Sequence, residues 1–380
     1  MYLKRILNLN KLIEKKSYFL FGPRSTGKSS LIAHQLNHQA TMINLLRTEV
    51  FLLLENRPWE LENLIDAQKN SVVVIDEIQK VPMLLNEVHR LIEERQITFL
   101  LTGSSAKKLR QRGVNLLAGR AWLAELFPLT YPEIPDFDLD KYLLYGGLPQ
   151  VVTSPDPVEA LDAYVSTYLR EEIQAEALIR KIRNFAMFLQ HAALTNSQLI
   201  NFSKLSNDTG IPASTIREYY KILEDTLVGF LIPPWTKTIK RKSISSAKFY
   251  FFDIGVRHAI IGTKHIDRNS DIFGQSFEHF IALELRAYLS YKRKKLTLSF
   301  WRTTDKHEVD FIIGDSVAIE VKSSDRIVSK HLKGLKTLQD EGVCSQYYCV
   351  CFDKTHRSDD GVEIIHWQDF LSKLWRGEII

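Results

Sequence analysis

Two stretches of this chain combine residue types that do phosphate chemistry. The first is "YFLFGPRSTGKSSLIAH", Tyr18 to His34. Gly22 and Gly27-Lys28-Ser29 satisfy G-x-x-x-x-G-K-[ST], with an apolar run before and a helical pattern after. Glycines let a backbone wrap a phosphate with its N–H groups inward and a helix N-terminus behind. The spacing predicts a nucleotide cradle of Gly22, Pro23, Arg24, Ser25, Thr26, Gly27, Lys28, Ser29 and Ser30. Lys28 is expected on the β- and γ-phosphates of ATP and the Ser29 hydroxyl on Mg²⁺. The second stretch is "HEVDFIIGDSVAIEVK", His307 to Lys322: an aspartate, nine residues, then a glutamate, one residue and a lysine. Two apolar runs meeting at Gly314-Asp315 predict a hairpin. Glu320 and Lys322 then share a face. Asp310 faces Glu320 only if the loop is odd-numbered, for example Gly314, Asp315 and Ser316.

The cradle needs further groups, and the surrounding elements supply them. "SVVVIDEIQKVP" ends an apolar strand in Asp76-Glu77. A buried parallel strand presents its carboxyl end to the ligand crevice, so Asp76 is expected to hold Mg²⁺ and Glu77 to orient the attacking water. "ITFLLTGSS" ends in Thr102 to Ser105, with Ser104 chosen as the polar contact to water or γ-phosphate and helix capping as the alternative. Arg120 leads Arg110 and Arg112 as an arginine offered to a neighbouring subunit, with a plain surface role as the alternative for each.

The chain has 380 residues, enough for two or three domains, and 45% hydrophobic content suits well-filled cores. No apolar run reaches membrane-spanning length, and "MYLKRILNLNKLIEKKSYFLFG" lacks a signal peptide's apolar block, so no membrane partner and a cytoplasmic location are expected. Cys344, Cys349 and Cys351 lack zinc-ligand spacing and read as reduced residues in or beside a strand. The net charge of +5 is too small to imply nucleic acid, but 236–248 holds five bases without an acid and 291–296 holds four. Such clusters either track phosphates or are solvated loop and helix ends.

"FGPRSTGKSSL", "VVVIDEIQKVP", "FLLTGSS", "LAGRAW", "PLTYPEI" and "YLLYGGLPQVV" follow one another as in a bacterial and archaeal group of AAA-type ATPases with a C-terminal DUF4143 domain. The resemblance continues through "FYFFDIGVRHAI", "FGQSFEHFIALEL" and "EVDFIIGDSVAIEVKSS", with Ser29 where members often have threonine. It implies an α/β chain with a P-loop AAA-type ATPase core over 1–154. A central helical and winged-helix region (155–246) and a restriction-endonuclease-like α/β domain (247–380) follow. In the middle, "SQLINFSKLSNDTGIPASTIREYYKILEDTLVGFLIPPW" reads as helix, turn at Gly210-Ile211-Pro212, helix, then strands, with Pro233-Pro234 and the following bases as a linker. Arg217 and Lys221 on its second helix sit among acids, which speaks against base readout.

A helix with an early Glu278, a strand, the Asp310 strand and the Glu320-x-Lys322 strand resemble the core of archaeal Holliday-junction resolvases. In that arrangement Asp310 and Glu320 would hold Mg²⁺ or Mn²⁺ beside a scissile phosphate, Glu278 would complete the shell, and Lys322 would orient water. The expected partners are branched or broken DNA and further copies of the chain, a hexameric ring among the candidate assemblies. Two functions stay open: an ATP-driven DNA enzyme, and a switch ATPase whose C-terminal domains bind without catalysis.

Overall fold

The computed structural model describes residues 2–37, 39–67, 70–104, 117, 119–169, 182–237 and 244–380. Near the N-terminus five short strands form one parallel sheet: β1 Ser17–Phe21, β2 Thr41–Asn44, β3 Val72–Asp76, β4 Thr98–Gly103 and β5 Ala121–Glu125. Their order is β2-β3-β4-β1-β5. The strands read as unbroken apolar runs because helices cover both faces. Alternation still sorts them: Phe19, Phe21, Val73, Ile75, Phe99 and Leu101 enter one core, while Tyr18, Leu20, Val74 and Leu100 enter the other. With β4 between β1 and β3, the exits of three strands lie side by side. Gly22, Asp76 and Gly103-Ser104 therefore share one edge.

The central unit is a helix–turn–helix followed by a hairpin. Helices Phe202–Thr209 and Ala213–Asp225 are joined at Gly210, whose φ of 67° closes the first helix in a left-handed cap. Strands β6 Gly229–Ile232 and β7 Lys248–Phe251 pair antiparallel, and Leu199 bridges Lys248 as a third strand would. The expected linker is corrected here: the segment after Pro233-Pro234 joins two paired strands. Its start is tied down by a bond from Trp235 N to Phe300 O (2.6 Å). A boundary at 246/247 would divide β6 from β7, so hydrogen bonding argues against it. Most of the basic stretch, 238–243, lies outside the described residues.

The C-terminal unit is a six-stranded sheet in the order β12-β13-β11-β10-β9-β8. Its strands are β8 Leu298–Arg302, β9 Glu308–Ile313, β10 Val317–Val321, β11 Gln346–Cys351, β12 Arg357–Asp359 and β13 Val362–His366. Cys349 and Cys351 lie in β11, and all three cysteines are free and buried. The helix Asp271–Tyr291, capped by Ser270, is buried on most of its surface because all three units touch it. Its Phe277, Phe280, Ile281 and Leu285 join a core with Leu143, Phe230 and Phe311. Among the described residues no helix is long and apolar enough to cross a membrane.

Midway along that helix, Glu284 is fully buried and accepts bonds from Tyr131 N (2.8 Å) and Trp375 Nε1 (2.7 Å). Burial pushes its carboxyl up to about 8 against the two donors. The folded chain therefore keeps a proton that the unfolded chain releases near 4.5, and this contribution to stability is lost as pH rises from about 4.5 to about 8. Glu284→Gln cannot titrate, and its amide nitrogen must face one of the two donors. At pH 5 the variant is expected to be less stable than the wild type by about 1–3 kcal/mol. Urea melts at pH 8.5 should show that gap narrowed, and an unchanged gap would contradict the buried-proton account.

Candidate functional sites

The phosphate loop starts where β1 ends. A Cβ on Gly22 would lie 2.5 Å from Leu126 O, so only glycine lets the chain leave beside the exit of β5. Gly27 has φ 90° and turns the chain into the helix Lys28–Leu36. Lys28 is buried and folded back, donating to Gly22 O (2.7 Å) and Pro23 O (3.1 Å). Pro23 O also accepts from Thr26 Oγ1, and Arg24 O from Tyr164 OH (3.5 Å). Ser25 and Ser30 line a cavity of about 490 Å³ with Tyr2, Arg5, Gly27 and Pro149. That volume suits a nucleoside.

Asp76 meets this loop from β3, with Oδ2 accepting from Ser29 Oγ at 3.4 Å. Its Oδ1 accepts from Thr102 Oγ1 on β4, and Thr102 Oγ1 in turn accepts from Glu77 N (3.2 Å). Gln79 donates to Glu77 Oε2 and to Ser104 Oγ. The spacing brings together every expected residue of this cluster. It missed Thr102, which holds Asp76 directly, and Gln79, which links Glu77 to Ser104. Arg120 precedes β5, at the opposite end of the sheet from the loop, and pairs with Glu93. It does not serve this chain's own cradle. Arg110, Arg112 and Ser105 lie outside the described residues.

At the second site, β9 and β10 pair with Val317 opposite Ile313, leaving Gly314, Asp315 and Ser316 as the loop. This is the odd-numbered loop that sets Asp310 against Glu320. Asp310 Oδ2 accepts from Val321 N (2.8 Å), and Lys322 Nζ lies 2.5 Å from Glu320 Oε1. Glu320 Oε2 is buried without a hydrogen-bond partner. Burial first, then the Asp310 charge, pushes Glu320 up to about 8. Burial disfavours the Lys322 ammonium, yet Asp310 and Glu320 hold it above the ordinary lysine range.

Glu278 joins from the long helix, with Tyr250 OH donating to it at 2.6 Å. The residue that sequence reasoning missed is Lys248, counted there only as the last base of an exposed cluster. It is buried on β7, with Nζ 3.2 Å from Glu278, 2.7 Å from Glu308 and 3.9 Å from Asp310. Burial disfavours its charge, but these acids hold it well above the ordinary range. Alternation along "KFYF" was the available signal, since it sets Lys248 and Tyr250 on one strand face. Glu278 borders two clefts, one of about 490 Å³ with Asp310 and Lys322, the other of about 420 Å³ with Lys248, Gln198 and Arg302. Among the described residues no three His, Cys, Asp or Glu side chains converge as a metal site. Asp310 and Glu320 with a substrate phosphate remain a chemically adequate donor set, and the partnerless Glu320 oxygen fits one.

The expected basic surfaces are partly used internally. In those clusters Lys237 pairs with Asp315 (2.6 Å) and Arg293 donates to Leu123 O. Arg217 and Lys221, already set aside for base readout, stack over Phe202 (4.4 Å) and pair with Asp225 (3.0 Å) respectively.

Fold, loop and neighbouring acids define a nucleotide-binding AAA-type unit, and comparison with known families agrees. Residues 14–135 match the AAA domain, 136–267 a domain of unknown function (DUF8612) and 273–370 a domain of unknown function (DUF4143). The chain thus joins an AAA-type ATPase domain to a C-terminal DUF4143 domain. It is 28% identical over 324 residues to an uncharacterized protein of Mycobacterium tuberculosis, covering 80% of this chain and 69% of that one. It is similar also to uncharacterized proteins of Haemophilus influenzae (24%; 82% of this chain, 80% of that one) and Methanocaldococcus jannaschii (23%; 86% and 81%). The middle match, 136–267, keeps β6 and β7 together, as their pairing requires.

Proposed function

We propose that this protein hydrolyses ATP at the Lys28 loop and acts on DNA through its C-terminal unit, binding branched or broken DNA and cutting it at Asp310, Glu320 and Lys322. The observation that carries the DNA reading is the convergence of those three side chains across the hairpin, with a buried carboxylate oxygen left without a donor. An acceptor in that condition costs free energy unless a cation or proton meets it.

At the loop, Lys28 would leave the Gly22 and Pro23 carbonyls for the β- and γ-phosphates. Ser29 and Asp76 would hold Mg²⁺, and Thr102 keeps Asp76 oriented toward them. Glu77 would align the attacking water, with Gln79 and Ser104 fixing its approach, and Arg120 would act on a neighbouring copy in a homo-oligomer such as a hexameric ring. At the hairpin, Asp310 and Glu320 would hold Mg²⁺ or Mn²⁺, Glu278 would adjust that shell, and Lys322 would steer a water. The metal's contribution is to neutralise developing charge and acidify bound water.

One observation favours the second reading, a switch ATPase with non-catalytic C-terminal domains. Lys248 already supplies a buried positive charge to Glu278, Glu308 and Asp310, as a resident cation would. The two readings separate on incubation with duplex, forked and four-way DNA, with and without ATP and Mg²⁺ or Mn²⁺. Metal-dependent cleavage, or ATP turnover stimulated by DNA, supports the DNA enzyme. Steady turnover indifferent to all three substrates, with every strand intact, supports the switch.

A further inference from the structure

Arg5 precedes the segment matched to the AAA domain and carries no motif, yet it is only 6% exposed. Its guanidinium meets five groups from distant parts of the chain, the weakest contact being Nη2 to Pro128 O (3.5 Å). Nη1 donates to Thr26 O (2.8 Å), and Nη2 donates to Phe127 O (2.6 Å) and Tyr291 OH (3.2 Å). Nε lies 3.1 Å from Glu133 Oε1. Glu133 is itself fixed, accepting from Ile6 N (2.7 Å) and Thr130 N (3.0 Å). Tyr291 OH also accepts from Phe127 N (3.2 Å).

The first of these contacts bears on the phosphate loop. The Thr26–Gly27 peptide bond is trans, so its Thr26 carbonyl and Gly27 N–H point in opposite directions. Drawing the Thr26 carbonyl out toward Arg5 aims the Gly27 N–H the other way. Gly27 lies in the left-handed region, where its backbone has alternatives, and a Cβ placed on it would lie 3.9 Å from Arg5 Nη1. The last contact bears on the C-terminal unit. Tyr291 ends the helix Asp271–Tyr291, whose early turns carry Glu278.

We propose that Arg5 is a positioning residue for the phosphate loop, and that its bond to Tyr291 makes nucleotide affinity depend on how the C-terminal helix is docked. The inference rests on the reading that the Lys28 loop binds nucleotide. A planar guanidinium can hold these acceptors in fixed directions at once, whereas an ammonium cannot. By linkage, a helix end that favours the loop's binding geometry is itself favoured when nucleotide binds.

The test uses the full chain, a fluorescent ATP analogue for affinity, and hydrogen exchange of peptides over 284–293 with and without a non-hydrolysable analogue. The wild type is expected to bind and to show slower exchange over 284–293 with nucleotide. Arg5→Lys should weaken binding tenfold or more. Tyr291→Phe keeps the ring and removes only the hydroxyl, so it should weaken binding two- to fivefold and abolish the nucleotide-dependent protection. Should Arg5→Lys fail to fold, Tyr291→Phe decides alone. Wild-type binding that Arg5→Lys leaves within twofold, or protection that survives Tyr291→Phe, overturns this inference and leaves the nucleotide reading intact. A wild type that binds no better than Lys28→Ala overturns the nucleotide reading and this inference together.

Discussion

Lys28→Ala is expected to lower affinity for ATP by roughly 10²-fold or more, because a charge-assisted contact with the β- and γ-phosphates is lost. Its bonds to the Gly22 and Pro23 carbonyls run within the loop, so truncation is expected to leave the strand, the loop glycines and the following helix in place. Glu77→Gln should behave differently. Glu77 stands at the exit of β3 with its backbone N–H on Thr102, and this contact survives the change. The amide cannot take a proton from water, so binding should stay within a few-fold of wild type while turnover falls by about 10²–10³. Equilibrium titration with a fluorescent ATP analogue and single-turnover phosphate release measure the two quantities separately. Equal affinity of Lys28→Ala and wild type would remove the loop from nucleotide binding.

Asp310→Asn should bring any DNA cleavage to background and leave ATP turnover within about twofold. The amide oxygen must take the Val321 N–H bond that Asp310 Oδ2 now accepts, which turns its NH₂ toward the Lys248 ammonium. A donor then faces a cation, and one negative ligand is gone. Glu320→Gln removes the second ligand at less structural cost, because burial already disfavours that charge. DNA affinity of both variants should hold or rise as repulsion of phosphate is relieved. Gel assays with four-way DNA and calorimetric Mn²⁺ titration report the outcome. Neutralising Lys292, Lys294 and Lys295 should lower DNA affinity and flatten its salt dependence, since all three are exposed. If wild type and Asp310→Asn take up Mn²⁺ equally, the hairpin is not a metal site.

The nucleotide cradle was legible in the sequence because its parts are contiguous and each follows an apolar strand. Gly22, Asp76 and Ser104 stand at strand exits, and a parallel sheet gathers such exits on one edge. The hairpin was legible for a similar reason: loop length and alternation decide which side chains face each other. What stayed hidden depended on pairing between remote segments. Lys248 looks like one more surface base until β7 is known to lie against the long helix and the Glu308–Asp310 strand. Pro233-Pro234 signals a break in a strand but does not say that the chain returns to pair with it. Arg5 gives no signal at all, since its five partners are scattered from Thr26 to Tyr291.

That scatter also orders events during synthesis. Arg5 and Tyr291 are 286 positions apart, whereas Thr26, Phe127 and Glu133 leave the ribosome well before the long helix. At about 5–20 residues per second, roughly 8–30 s separate the emergence of Glu133 from that of Tyr291. Throughout that interval the nascent AAA-type unit has the arginine and its carboxylate but lacks the hydroxyl. Over the same interval Phe127 and Arg5 lack the Tyr291 ring and hydroxyl that later meet them, so the long helix is the late partner in that contact.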